Sequence, residues 1–257
     1  MVPMSISKIS LFICIIFLLA GCNKSVNPDD IVVNEGIAFY KKNHQRFSGY
    51  VRSYYPEGKL MSVKEYKKGE PNGYYLRFYK NGQLSLKMMY SQGEPINGYQ
   101  LYYDNGNLKS CRTDSAEYQF IRRYYLDGKL SMLQHKKNGL LHGTSIQYYH
   151  NGSIHVYSNY QNDKKEGRLI IYHPNHAIKN ECTYINDTIH GSLKEWNDKG
   201  VLLMEEYYEH GKHTGTWKYY YPSGKINAVI TFKPNGTVKE KTEYAEDGKI
   251  LDKFSSQ

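Results

Sequence analysis

The chain has 257 residues, with 34 Lys and Arg against 25 Asp and Glu, and a formal net charge of +9. Mean hydropathy is -0.69, yet Tyr supplies 27 residues and Gly 22, against 8 Phe and 2 Trp. That balance excludes an ordinary aliphatic core: apolar contact must come from tyrosine rings, which suit half-exposed sheet faces, and the excess of cations suits a solvated lysine-rich surface or an anionic partner.

Met1–Gly21 carries one basic residue, Lys8, ahead of a largely apolar run from Ile9 to Ala20. The run is about half the length of a bilayer-spanning helix, so it reads as the core of a signal peptide. It ends in Leu19-Ala20-Gly21-Cys22, which resembles the bacterial lipobox. The resemblance implies that residues 1–21 are a lipoprotein signal peptide and that Cys22 is the lipid-attachment site and mature N-terminus. It also implies a protein anchored to a membrane without spanning it. Asn23, rather than Asp, follows the cysteine. By resemblance to sorting in Gram-negative envelopes, this implies the outer membrane as the location within the bacterial cell envelope. Residues 22–36 then read as a lipidated N-terminus and flexible tether, polar and holding Pro28. Ile37–Tyr40 alternates as a first, capping strand.

From here one phrase recurs. Gly58, Gly82 and Gly106 are 24 residues apart, Gly128 follows after 22, and Gly152, Gly200 and Gly224 resume the 24-residue frame, with His176 in the place between. The spacing then halves to 12 at Gly236 and Gly248. A fixed period of this size marks a repeat array. A second glycine column, Gly49, Gly73, Gly98, Gly143, Gly167, Gly191 and Gly215, opens the units, with Gln119 in its place in the irregular fourth copy. Pro56, Pro174, Pro222 and Pro234 sit two residues before the turn position, where a type I turn needs φ near -65°. The following glycine takes the left-handed conformation, giving a three-residue hairpin loop with a bulge.

This loop closes Tyr55 onto Lys59 and sets Tyr54 opposite Leu60. The column of Tyr54 is aromatic in all eight copies (Phe78, Tyr102, Tyr124, Tyr148, Tyr172, Trp196, Tyr220), and that of Leu60 is aliphatic throughout. The two columns are cross-strand partners and are expected to form the packed face. Each repeat is a hairpin joined to the next by a polar loop such as Lys67–Asn72. The fold class is all-β: an elongated, twisted, solenoid-like meander of ~24-residue antiparallel hairpins. It forms a single domain over residues 37–254, eight hairpin repeats followed by a C-terminal hairpin cap of 12-residue period. The strand pattern dissolves at Cys111–Phe120.

The pattern G-x-x-x-x-Y-Y-x-x-G-K-L, with His142-Gly143 and His190-Gly191 opening units, resembles the bacterial MORN-variant repeat over about Phe47–Phe254. Proteins built this way are commonly grouped as YwqK-family antitoxins. The resemblance implies a toxin-neutralising or immunity-like role through capture of a protein partner.

The residues themselves offer little chemistry. Cys111 and Cys182 lie three repeats apart, roughly 29 Å at ~4.8 Å per strand, far beyond the ~7 Å reach of a disulfide, so two free thiols on opposite faces are expected. His173, His176, His210 and His213 tempt a metal reading, but His142 and His190 share one repeat column and His173 stands in a tyrosine column, which makes them repeat-determined surface residues. No metal, cofactor, phosphate loop or nucleophile elbow is expected, and the acids form no general acid–base pair. Glu205 and Glu206 fall on alternating faces. The chain reads as a non-enzyme.

What remains is a surface. Tyr55, Tyr79, Tyr103, Tyr125, Tyr149 and Tyr221 follow the packed aromatic column and by alternation lie on the opposite face. They form a ladder that either stabilises the sheet across strands or recognises a partner. Arg52, Arg77, Arg122, Arg123 and Lys218 interleave with them. An envelope lipoprotein rarely meets nucleic acid, so the expected partner is a protein, a toxin being what the resemblance implies, with the membrane engaged through the lipid. The alternative is a structural or glycan-binding envelope protein.

Overall fold

The computed structural model describes residues 25–256; the lipobox, Cys22 and Asn23 lie outside the described residues. Among the described residues the regular structure is β, apart from a three-residue 3-10 turn at Pro28–Asp30. The chain divides into two compact units, one ending at Gly106 and one beginning at Asn107. In the first, strands Gly49–Tyr54, Leu60–Lys67, Glu70–Phe78, Leu84–Ser91 and Glu94–Tyr102 pair in sequence order as an antiparallel meander. The second continues the same pattern from Leu108–Asp114 to Ile250–Ser255.

The three-residue turns form as their sequence requires. The Tyr55 amide donates to the Lys59 carbonyl (2.8 Å) and the Gly58 amide to the Tyr55 carbonyl (2.9 Å), with Gly58 at φ +79°. Tyr54 then faces Leu60, and the same cross-strand pair recurs as Phe78 with Leu84, Tyr148 with Ile154, Tyr172 with Ile178, Trp196 with Leu202 and Tyr220 with Ile226. His176 adopts the glycine conformation at φ +71°.

The opposite reversals differ from expectation. Lys67 pairs with Glu70 across Lys68 and Gly69, whose φ values are +52° and +87°. This is a two-residue type I′ turn, not a polar loop over Lys67–Asn72, because two successive left-handed residues match the twist of the flanking strands. Gln92-Gly93, Asn138-Gly139, Asn162-Asp163, Asn186-Asp187 and His210-Gly211 repeat it, with every φ positive. The second glycine column lies within strands rather than between units. At Gly73 (φ +108°) the register shifts between Lys64 and Tyr66, and a side chain there would collide with the Glu65 carboxylate. Glycine is required by the bulge and the close approach together.

The fourth copy keeps its strands although its sequence pattern fails. Leu108–Asp114 and Tyr118–Tyr124 pair from Asp114 opposite Gln119 to Ser110 opposite Arg123, since the ladder uses backbone groups and tolerates Ser, Arg and Asp. The flexible tether is also corrected. From Ser25 onward it is folded: Ser25–Val26 pairs parallel to Tyr50 and Val51, and Ile31–Asn34 forms a hairpin with Ile37–Tyr40. The expected capping strand is thus half of a capping hairpin. It buries Ile31, Ala38 and Phe47 (0% exposed) against Tyr66, Val26, Tyr40 and Val51, enough apolar surface to fix a segment whose composition looks soluble.

The packed face is best formed in the first unit, although Ile170 of the second unit is also buried on that side. In the first unit Val63, Leu76 and Phe78 cluster with Tyr50, Leu60 and Leu84, on the side of the aromatic and aliphatic columns. In the second unit Ile121, Ser145, Cys182, Glu206 and Trp217 are buried on the other side, which alternation shares with Tyr125, Tyr149 and Tyr221. Tyr54 and Ile226, assigned to the packed face, are 50% and 41% exposed. Among the described residues the strands of the second unit form a single layer, so burial there comes from neighbours on the same face, whereas the first unit adds the capping hairpin.

Candidate functional site

The expected ladder tyrosines occupy the first position of each three-residue turn, where they leave the strand. The hydroxyls of Tyr55, Tyr79, Tyr125, Tyr149 and Tyr221 donate to the carbonyls of Phe78, Tyr102, Tyr148, Tyr172 and Tyr244, all 23 residues further on, at 2.6–2.8 Å. His173 replaces tyrosine in this column and does the same work with Nε2 at 2.9 Å from the Trp196 carbonyl. Tyr103 is half-buried. Asn81, Asn151 and Asn175 add a parallel series, each side-chain amide donating to a carbonyl in the next turn. The ladder is therefore a set of fasteners between consecutive turns, its hydroxyls spent within the molecule. Of the interleaved cations, Arg77 and Arg123 share its face by alternation, and Arg52, Arg122 and Lys218 lie on the other.

The two-residue turns are fastened differently. The amides of Gly69, Gly93, Asp163, Asp187 and Gly211 donate to carbonyls 22 residues earlier. Before three of the column glycines the preceding residue caps the next reversal: Ser48 Oγ accepts from the Lys68 amide (2.8 Å), a Glu166 carboxylate oxygen from Asn186 (2.9 Å) and His190 Nδ1 from His210 (3.4 Å). His190 thus has a capping task, which its place in a repeat column hinted at without revealing.

The ladder face of the second unit holds one buried carboxylate that periodicity alone does not single out. Glu206, 7% exposed, accepts from the hydroxyls of Tyr208 and Tyr219, both at 2.6 Å. Burial, and then the hydrogen bond to Glu206, hold both phenols well above the usual tyrosine range. Trp217 packs beside them against His213 (4.4 Å) and Phe232 (4.6 Å), its indole N–H on the Tyr207 carbonyl. The Glu206 carboxylate, both phenols and the indole N–H are all paired, so they form a polar core. Glu205 points to the opposite face, where it meets Lys194 at 2.9 Å and Tyr207. In the first unit Lys64 Nζ lies 4.9–5.6 Å from the ring centres of Tyr66, Tyr75 and Tyr90, and burial holds its amine below the usual lysine range.

Cys111 and Cys182 are free thiols; Cys111 pairs across strands with Arg122, and the buried Cys182 sits between Leu169 and Leu193 on the other face. Burial raises the Cys182 thiol above its usual range. Among the described residues no three His, Cys, Asp or Glu gather to hold a metal ion, and no helix is long and apolar enough to cross a membrane.

The aromatic–aliphatic columns stay uncovered in the second unit. Tyr124 with Leu130, Tyr148 with Ile154, Tyr172 with Ile178 and Trp196 with Leu202 are half-buried pairs, with no second layer over them among the described residues. This geometry defines a class of protein: a hairpin-repeat sheet that presents side-chain columns. Four segments, 48–68, 71–92, 141–162 and 214–233, match the family model described as MORN repeat variant, so the chain carries MORN-variant repeats there. No curated protein matches the sequence. Two solved structures are similar in part, one titled TcdB2-TccC3-Cdc42 (10% identity, TM-score 0.21, 87% of this chain and 16% of that one) and one titled TcdB2-TccC3 (11%, 0.20, 88% and 16%). The chain spans about a sixth of their length, and a likeness at this level bears on neither fold nor function.

Proposed function

We propose that this chain is a non-catalytic envelope lipoprotein, anchored through Cys22, which captures a protein partner in an antitoxin-like or immunity-like manner. The observation that carries the reading is the run of half-buried aromatic–aliphatic pairs in the second unit, an apolar surface on a backbone fastened at both of its turn edges. Exposed apolar columns on a preorganised sheet lose little side-chain freedom on binding, which favours capture of another protein. The resemblance to antitoxin-type repeat proteins supplies the kind of partner, and the lipid would hold the chain where an incoming toxin meets the envelope.

The test has two parts. Palmitate labelling followed by mass spectrometry of the N-terminal peptide should show acyl groups on Cys22 and none in Cys22→Ser. Cells producing the wild-type chain should survive a toxin encoded beside its gene, and cells producing a folded variant with Tyr148→Asp and Tyr172→Asp should not. Survival unchanged by that variant would remove the apolar columns from the mechanism, and survival unchanged by deletion of the gene would end the immunity reading.

A further inference from the structure

The second unit carries its positive charge unevenly. Between Asn107 and Lys137 the sequence has seven Lys and Arg against three Asp and Glu, whereas from Asn138 to Gln257 it has fourteen of each. The three acids are already engaged, Asp114 by Arg112 (2.9 Å), Asp127 by Lys129 (3.5 Å) and Glu117 by Lys137 (3.3 Å). Arg122 is exposed and has neither a hydrogen bond nor a carboxylate partner among the described residues.

Its position in the register gives that cation meaning. Arg122 stands opposite Leu133, Leu133 opposite Ile146, Ile146 opposite Tyr157, and Tyr157 opposite Ile170. Directly paired residues share a face, so this is one straight row crossing five strands. The apolar part covers roughly 15 Å at ~4.8 Å per strand. Beyond Ile170 the row changes character: Glu181, Lys194, Glu205 and Lys218 follow in register, alternating in sign. Glu181 is engaged by Arg168 at 2.6 Å and Glu205 by Lys194 at 2.9 Å. The row therefore reads as an unanswered cation, three half-buried apolar side chains (Leu133, Ile146 and Tyr157), the already buried Ile170, and a charge series that answers itself.

We propose that this row is the seat of the partner, and that the partner is a protein segment with an apolar face and an Asp or Glu at the end that meets Arg122. The assignment rests on the protein-capture reading above and adds its address and its chemistry. An apolar occupant covers Leu133, Ile146 and Tyr157, a carboxylate answers Arg122, and the neutral Glu181–Lys218 series marks where contact stops. A lipid occupant would call for a broad basic field, and the fourteen-to-fourteen balance past Asn138 does not supply one.

The experiment places a benzophenone amino acid at Tyr157, or at Val156 on the opposite face, in the full-length chain in its own cells, and identifies the cross-linked protein by mass spectrometry. Its affinity is then measured against wild type, Arg122→Glu and Lys218→Glu, each checked by circular dichroism. The expected result is one protein cross-linked from position 157 and not from 156, bound at least about tenfold more weakly by Arg122→Glu, since a buried like charge replaces an attraction, and within about twofold by Lys218→Glu. Changing the partner's facing acid to Lys should restore binding to Arg122→Glu. Cross-linking from position 156 alone would overturn this address and leave protein capture standing. Cross-links only to lipid or to a second copy of the chain, or full affinity in Arg122→Glu, would overturn it too, and no protein cross-link from either face would take the capture reading with it.

Discussion

The strands of this protein reverse at two kinds of edge, and the two edges are held by different chemistry. At the three-residue turns the fasteners are side chains: a tyrosine or histidine reaches the carbonyl 23 residues on. At the two-residue turns the fasteners are chiefly backbone amides reaching carbonyls 22 residues back. A side-chain fastener can be removed by one substitution, whereas a backbone fastener survives any substitution that preserves the turn's dihedral angles. The first edge is therefore tunable by composition and the second by conformation alone.

The largest expected effect breaks the conformational edge. Gly69→Ala forces a side chain onto a turn backbone at φ +87° and against Ile37 and the Ala38 carbonyl, and should cost about 3 kcal/mol. Thermal unfolding should show it as a fall in Tm of roughly 6–12 °C. The side-chain edge should yield less: Tyr149→Phe deletes the bond to the Tyr172 carbonyl and should cost about 1 kcal/mol, read as a shift in the urea midpoint at unchanged m-value. His176→Gly should move the other way. It relieves a non-glycine residue at φ +71° and should gain up to about 1 kcal/mol; a loss would mean that the imidazole has a task its geometry does not show.

The smallest effect is set by pH. The Asp127 carboxyl is held below its usual range chiefly by the Lys129 amide, with His150 and the Lys129 ammonium adding to the pull. A depressed carboxyl contributes stability above its unfolded value of about 3.9, and that contribution is lost as the pH falls through the folded value. Amide exchange at Lys129, corrected for the intrinsic pH dependence, should lose protection between about pH 4 and pH 2. Protection unchanged over that interval would mean that the turn holds without its carboxylate.

The contrast between edges also explains what was readable in the sequence. The Pro-x-Gly turns and the pairing of Tyr54 with Leu60 were legible because turn chemistry fixes register. The two-residue turns were written as plainly, in Gln92-Gly93, Asn138-Gly139 and His210-Gly211 at repeat spacing. The glycine column at Gly73 masks them, since a bulge glycine inside a strand looks like a loop glycine. The ladder tyrosines are legible as a column, but whether a tyrosine hydroxyl faces a partner or a carbonyl depends on the distance between successive turns, which periodicity does not give. Glu206 and the folding of Ser25–Asn34 were illegible for a related reason: both depend on which residues stand opposite, Tyr219 in one case and Phe47 with Tyr66 in the other. Arg122 was visible as a cation among tyrosines, and only the register shows it heading the row through Ile170.

The fasteners that reach 23 residues on have a consequence for how such a chain changes over generations. Each hydroxyl is donated by one copy and received by the next, so an interior copy holds both halves of the same joint. Duplicating a whole copy creates one new joint of the same kind and leaves the capping hairpin at Ile31–Tyr40 untouched; duplicating part of one leaves a donor without a receiver. Length in this protein is a quantity that changes by whole units, and the surface it offers can be enlarged without being redesigned.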